Sequence, residues 1–321
     1  MAARYATQNL NTALTQFALE AIRSGGQSIV NRIAPLVTIG LSDVEYFIFN
    51  QGKEFLSDWH DTIKAPKAVA NEISRSYTSS TISLLMHALR EKIADSEMGN
   101  ADLAVINPKQ DAITLILSKL MLSKEKQLNA LLFDSTTTFT DYTAGASAYW
   151  DAGSGNTDIE GDIDAAKQSV RKNAGVEPNT IVIPPDIAVI AKKAPELRDL
   201  VVYTDATLRV NGDLPPVLFN LDVIIPRMIQ NEADPGVDTA SIDWIADDKA
   251  VWVGYVEKEA PSKKSLSCFY EFKRPINGTA EVGVREYREE DISCDVVEGM
   301  EEYSIEVPAP QAGYVISAVD A

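Results

Sequence analysis

From residue 107 to 133 apolar side chains return every three to four positions: Ile113, Ile116, Leu117, Leu120, Leu128, Leu131 and Leu132, with Thr114, Ser118, Glu125 and Asn129 on the opposite stripe. That period predicts one long amphipathic helix with a dry face and a wet one. Asn107 is placed to cap its first turn, and Pro108 suits the first helical position, where a missing N–H costs nothing. At 1.5 Å per residue the rod is about 40 Å long, the width of a small domain, which makes it a spine. Lys119, Lys124 and Lys126 read as a solvated or subunit-facing edge of it.

Upstream, residues 7–24 carry Leu10, Ala13, Leu14, Phe17, Ala21 and Ile22 at helical spacing and stop at Gly25 and Gly26. Such a terminal helix folds onto its own domain or lies across a neighbouring subunit, and the flexible Gly-Gly link tips the reading towards the neighbour. Segments 36–50 and 75–84 are β-rich. Between them residues 51–74 mix charges with Phe55, Trp59 and Pro66 and show no sustained period. A loop this long inside a compact domain needs a reason. A projecting hairpin whose aromatic residues are buried by another subunit supplies one. Residues 83–95 read as a short helix or a strand running into one.

After the spine, 134–156 is a turn-rich passage between domains. A helix over 162–174 that stops at Gly175, a strand over 179–184, a helix over 186–193, a single strand over 217–226 and two strands within 242–256 then alternate as in an α/β or α+β domain. The end of the chain reads as strands at 266–272, 280–287, 292–297, 303–307 and 314–316. The element pattern leaves α/β and α+β both open.

At 321 residues and 45% hydrophobic content the chain can bury a sizeable core in one large or two ordinary domains. Its 47 Asp plus Glu against 29 Lys plus Arg, a formal net charge of -18, disfavours reading DNA or gripping phosphate. The sequence opens without a basic-then-apolar signal and has no run of 18 apolar residues, so neither export nor a membrane partner is expected.

Candidate chemistry is sparse. Cys268 and Cys294 lie far apart on predicted strands and form neither a redox pair nor a metal knuckle. Only His60 and His87 could serve a nucleophile as base; the first reads as a surface residue, the second as a packed one. Phosphate-binding glycine loops are absent. Residues 156–167 alternate oxygen-bearing side chains like a calcium loop, but the twelfth position is Lys167 where a bidentate carboxylate belongs, so the stretch reads as an exposed turn and an acidic helix start. Asn277-Gly278 is read as a hairpin turn. No catalytic, cofactor-binding or metal residue is assigned.

Four strings in order, SKEKQLNALLFD, AYWDAGSGNTDIEGDIDAAKQSV, PNTIVIPPDIAVIAKKAPELRDLV and EEYSIEVPAPQAGYVI, together with the sequence of elements, resemble the major capsid protein of tailed bacteriophages, the Hong Kong 97 capsid fold shared with encapsulins. The resemblance implies an α+β fold with an N-terminal arm (1–43), an extended hairpin called the E-loop (44–82), a peripheral domain with the spine (83–148 and 256–310) and an axial α/β domain (149–255 and 311–321). It implies a structural, non-enzymatic chain that self-assembles through pentamers and hexamers into an icosahedral head around double-stranded DNA, in the host bacterial cytoplasm. Scaffolding, portal and decoration proteins are its further implied partners. Phe55, Trp59, Lys64 and Lys67 of the E-loop and Leu14 and Phe17 of the arm are the candidate interface residues. Some members of the family crosslink a lysine of the E-loop to an asparagine; Lys53, Lys64 and Lys67 lie in the corresponding insert, with no matching partner residues. An encapsulin-type compartment shell is the alternative within the fold, and an α/β enzyme with its pocket in 150–255 the alternative outside it.

Overall fold

The computed structural model describes residues 14–15, 28–48, 63–64, 66–67, 69–70, 78–100, 107–150, 157–197, 214–233, 241–246, 249–259, 262, 265–276 and 281–320. A one-turn helix α1 (Val30–Ile33) leads into β1 (Leu36–Thr38). Strands β2 (Asp43–Ile48) and β3 (Thr78–Ser83) pair antiparallel, Val44 opposite Ile82, as the root of a hairpin. Strand β4 (Leu85–Ala94) and helix α2 (Asp95–Asn100) precede the spine, α3 (Pro108–Leu132). There follow β5 (Thr143–Gly145), α4 (Ile159–Ala174), β6 (Thr180–Val182), α5 (Pro185–Ala191), β7 (Val217–Leu218), β8 (Leu221–Ile224), β9 (Ile229–Asn231), β10 (Ile242–Trp244), β11 (Val251–Gly254), β12 (Tyr270–Arg274), β13 (Gly283–Glu289), β14 (Cys294–Glu306) and β15 (Gly313–Ser317).

Strand β14, 13 residues long, is the axis of the first sheet. All ten residues of β4 pair with it on one side, and β12 and β13 share the other, with β1 parallel to β12 at the edge. Because side chains alternate across a strand, Val297, Gly299, Glu301 and Tyr303 share the face towards the spine. Ile113, Ile116, Leu117 and Leu120 of α3 pack there with Ile93, Val282, Val284 and Val297. Gly299 permits the approach: a Cβ on it would lie 2.7 Å from Cγ2 of Ile116. On the opposite face Tyr270 and Phe272 support Val44, Tyr46, Ile82 and Leu84, so the hairpin root is packed onto its own subunit.

The second sheet runs β5-β15-β11-β6-β8-β7. One face buries Ile181, Val251, Val253 and Ile316 against Ile159 and Ile163 of α4, Ile187 of α5 and Trp150. On the other, the indole of Trp252 lies over Gly254 and Gly313, opposite each other across β11 and β15, where any Cβ would strike it. Trp252, Phe139 and Phe269 pack in one cluster with Leu128 and Leu132, so the second half of the spine is buried between the two sheets. This sheet takes in Thr143–Gly145, parallel to β15, ahead of the expected domain boundary at 149.

Asn107 caps α3, its side chain accepting from Lys109 N at 3.2 Å, with Pro108 at the start; Gly175 ends α4 in the left-handed region (φ 63°). Other expectations need refinement or correction. Of the two readings of residues 83–95 the strand running into a helix holds: 85–94 form β4, for which β14 offers an unbroken partner along its whole length, and α2 follows at Asp95. The strands expected at 292–297 and 303–307 are one strand for the same reason. Residues 217–226 are two strands, folded back at Phe219 and Asn220, both at positive φ (49° and 66°). The acidic start of α4 is not simply an exposed turn: Asp162 is buried, and its carboxylate accepts from Ser147 N and Oγ and from Trp150 Nε1. Asp158 is the helix cap, accepting from Gly161 N. Cys268 is buried just before β12 rather than on a strand, and Cys294 opens β14 half-buried. Asn277, Gly278 and His60 lie outside the described residues.

Candidate assembly surface

The wet stripe expected on the spine is interrupted in the second half of the helix. Glu125 and Asn129 are buried, and the Glu125 carboxylate accepts from Ser28 Oγ at 2.8 Å and Ile29 N at 3.1 Å, tying the entry to α1 onto the helix. Burial pushes the Glu125 carboxyl up, against those hydrogen bonds. Lys124 is not a solvated edge either: its ammonium sits 2.8 Å from Glu271, 2.9 Å from Glu301 and 4.2 Å above the Tyr303 ring. Lys273 joins at 3.0 Å from Glu301. Burial penalises the charge on Lys124, yet the two carboxylates win and hold its pKa above the ordinary lysine value. Glu301 is likewise pulled below the usual glutamate range by Lys124 and Lys273, in spite of burial. Two cations and two anions thus neutralise each other under the spine. Beside them lies a cavity of about 280 Å³, lined by Ser28, Asn31, Leu120 and Val282 among others. His87, on β4, stacks on Tyr303 at 4.2 Å, and burial lowers its pKa. These charges join the helix to the sheet; Lys119 and Lys126 remain exposed.

Surfaces that invite a partner lie elsewhere. Beyond the hairpin root, Ile63 and Val69 are 85% and 92% exposed, and Lys64 and Lys67 are exposed beside them. Phe55, Trp59 and Phe17 lie outside the described residues. Leu14 packs against the cluster beneath the spine, and Thr15, buried, accepts from Val284 N at 3.3 Å, so this part of the arm touches its own subunit. Along β4, which flanks the first sheet, Leu85 is 63% exposed and Leu89 43%. The separate ribbon of β9 and β10 exposes Ile229 and Ile242. Periodicity could not reveal these last four, because an apolar residue in a strand reads as core whether or not the fold covers it. An unpaired strand flank and an uncovered apolar ribbon are what a partner chain can use. Among the described residues, no helix is long and apolar enough to cross a membrane.

The family model described as "Phage capsid protein" matches residues 80–283. No curated protein sequence matches the chain. Among solved structures, a phage-related protein from Bordetella bronchiseptica is similar with a TM-score of 0.71 at 17% identity, covering 98% of each chain. The capsid of a native GTA particle is similar with a TM-score of 0.56 at 12% identity, covering 100% of this chain and 95% of the other. A Mycobacterium phage Che8 structure is similar with a TM-score of 0.52 at 12% identity, covering 98% of this chain and 93% of the other. At such identities these likenesses establish the α+β capsid fold alone, whereas the family match spans most of the sequence, from the root of the hairpin to β13. The chain belongs to the phage capsid protein family.

Proposed function

We propose that this chain is the major capsid protein of a phage head, assembling through pentamers and hexamers into an icosahedral shell that encloses double-stranded DNA. The observation that carries the reading is the hairpin: its root is packed onto the subunit's own sheet, while Ile63 and Val69 beyond it stand in solvent. An excursion anchored at one end and apolar where it is exposed suits a clasp on a neighbour. In this reading the first sheet and the spine form the peripheral domain (83–148 and 256–310) and the second sheet the axial domain (149–255 and 311–321, with Thr143–Gly145 added). Phe55, Trp59, Lys64 and Lys67 meet a neighbouring subunit, and scaffolding, portal and decoration proteins act on the growing shell in the host cytoplasm. Many weak contacts, repeated by symmetry, give the shell its collective stability.

Expression of the chain alone, followed by electron microscopy and sedimentation, tests this. Closed shells, or rings of five and six, are expected. A monodisperse small species at every concentration and salt condition would overturn it.

A further inference from the structure

Strand β4 is an edge: all ten of its residues pair with β14, and among the described residues nothing pairs with its other side. Ten residues at about 3.3 Å each leave roughly 33 Å of backbone open to a further strand. Cross-strand partners share a face. The pairs from Tyr303–Leu85 to Asp295–Ile93 therefore set Leu85, His87, Leu89, Glu91 and Ile93 on the face that carries the spine, and Met86, Ala88, Arg90 and Lys92 on the other. Leu85 and Leu89 stay exposed there, and Oε2 of Glu91 is buried without a hydrogen-bond partner among the described residues.

The strand is complementary to itself. Laid antiparallel to a second copy with Leu89 on the two-fold axis, Leu85 faces Ile93, His87 faces Glu91 and Leu89 faces Leu89, while on the other side Met86 faces Lys92 and Ala88 faces Arg90. No like charges stand opposite. Sliding the copy by two residues sets Arg90 against Arg90 in one direction and Leu85 against Glu91 in the other. A slide of one brings the leucines of one copy to the side of the other that carries Arg90 and Lys92. These two cations reach across β14 to Glu289 of β13, at 3.0 and 2.6 Å, so they are neutralised and lean away from the free edge. We infer that β4 of one copy pairs antiparallel with β4 of a second copy about Leu89, joining two five-stranded sheets into one of ten strands. The same patch serves on both subunits, so the contact is isologous and closes as a pair. A pair cannot by itself make a ring of five or six; the inference rests on the shell reading above and assigns this contact to the seam between neighbouring rings.

Leu89→Cys on the full chain tests it, because the axis sets the introduced thiol against its own copy. Under mild oxidation, L89C shells are expected to yield covalent dimers on a non-reducing gel above the wild-type level, and A88C, which faces Arg90 in this register, at least tenfold fewer. L89R, which opposes like charges at the axis from an exposed position, is expected to lower the yield of closed shells at least tenfold by sedimentation, with rings retained and circular dichroism unchanged. L89C shells without dimers, equal crosslinking of A88C, or wild-type shell yield from L89R overturns the pairing and leaves the shell reading standing. A wild-type chain that forms neither shells nor rings overturns the shell reading; L89C dimers in that soluble species support the pairing by themselves, and their absence overturns it as well.

Discussion

Lys124 decides how the spine is held. Replacing it with Met leaves Glu271 without an ion-pair partner, and Glu301 with Lys273 alone, among the described residues, in a site where all four side chains are largely buried. Removing one partner of a buried ion pair costs about 3–5 kcal/mol, whereas Lys119→Met, on the exposed stripe, is expected to cost no more than about 0.5 kcal/mol. Equilibrium denaturation of a soluble subunit measures both, and equal small losses would mean that the buried pairs contribute nothing. The two buried glutamates of this region titrate in opposite senses. Glu301, with its pKa depressed, contributes stability that is present above the ordinary glutamate value and lost as pH falls through the lowered one. Glu125, with its pKa raised, contributes stability that is full below the ordinary value and lost as pH rises through the raised one. Thermal midpoints followed from well below the ordinary glutamate value up to neutral pH are therefore expected to lose slope below that value in Glu301→Gln and above it in Glu125→Gln. Glu125→Ala strands the Ile29 N–H and is expected to cost about 1–3 kcal/mol.

The hairpin is the element on which the shell reading turns. Replacing residues 51–74 by an Asn-Gly turn spares the paired root, since Val44, Tyr46 and Ile82 stay packed on Tyr270 and Phe272. The shortened subunit is expected to keep its far-ultraviolet circular dichroism and to sediment as a small species; normal shells from it would remove the clasp from the account. Much of this element scale was legible in the sequence. The spine's cap, its dry face and the Gly175 stop were written in local chemistry, and the hairpin in two β-rich segments bracketing an aperiodic insert. What failed was whatever depends on a distant partner. Residues 85–94 are undecided between helix and strand until β14 lies beside them, and Asp162 looks solvated until Trp150 folds over it. Of the interface candidates, Lys64 and Lys67 are where the insert put them, exposed, while Leu14 touches its own subunit. The exposed leucines of β4 and the apolar face of the β9–β10 ribbon had no signal distinct from core.

For the whole molecule the charge of -18 sets how it meets nucleic acid. A chain with that excess gains little from releasing counterions at phosphates. In low salt the soluble subunit is expected to leave double-stranded DNA unshifted in a mobility gel, so a wall built from it would enclose DNA without gripping it. A shift that fades steeply with added salt would reveal a basic surface hidden in the sum. The sheet arrangement sets a second property. The hairpin's returning strand β3 passes through Leu84 directly into β4, and all ten residues of β4 are zipped to β14, which carries the spine on one face. A neighbour that tugs on the hairpin along the strand direction loads those backbone hydrogen bonds in shear, all at once, rather than peeling them singly from an end. If the hairpin clasps a neighbour as proposed, tension taken up there would be delivered to the most heavily paired strand among the described residues, which would act as a tie-rod.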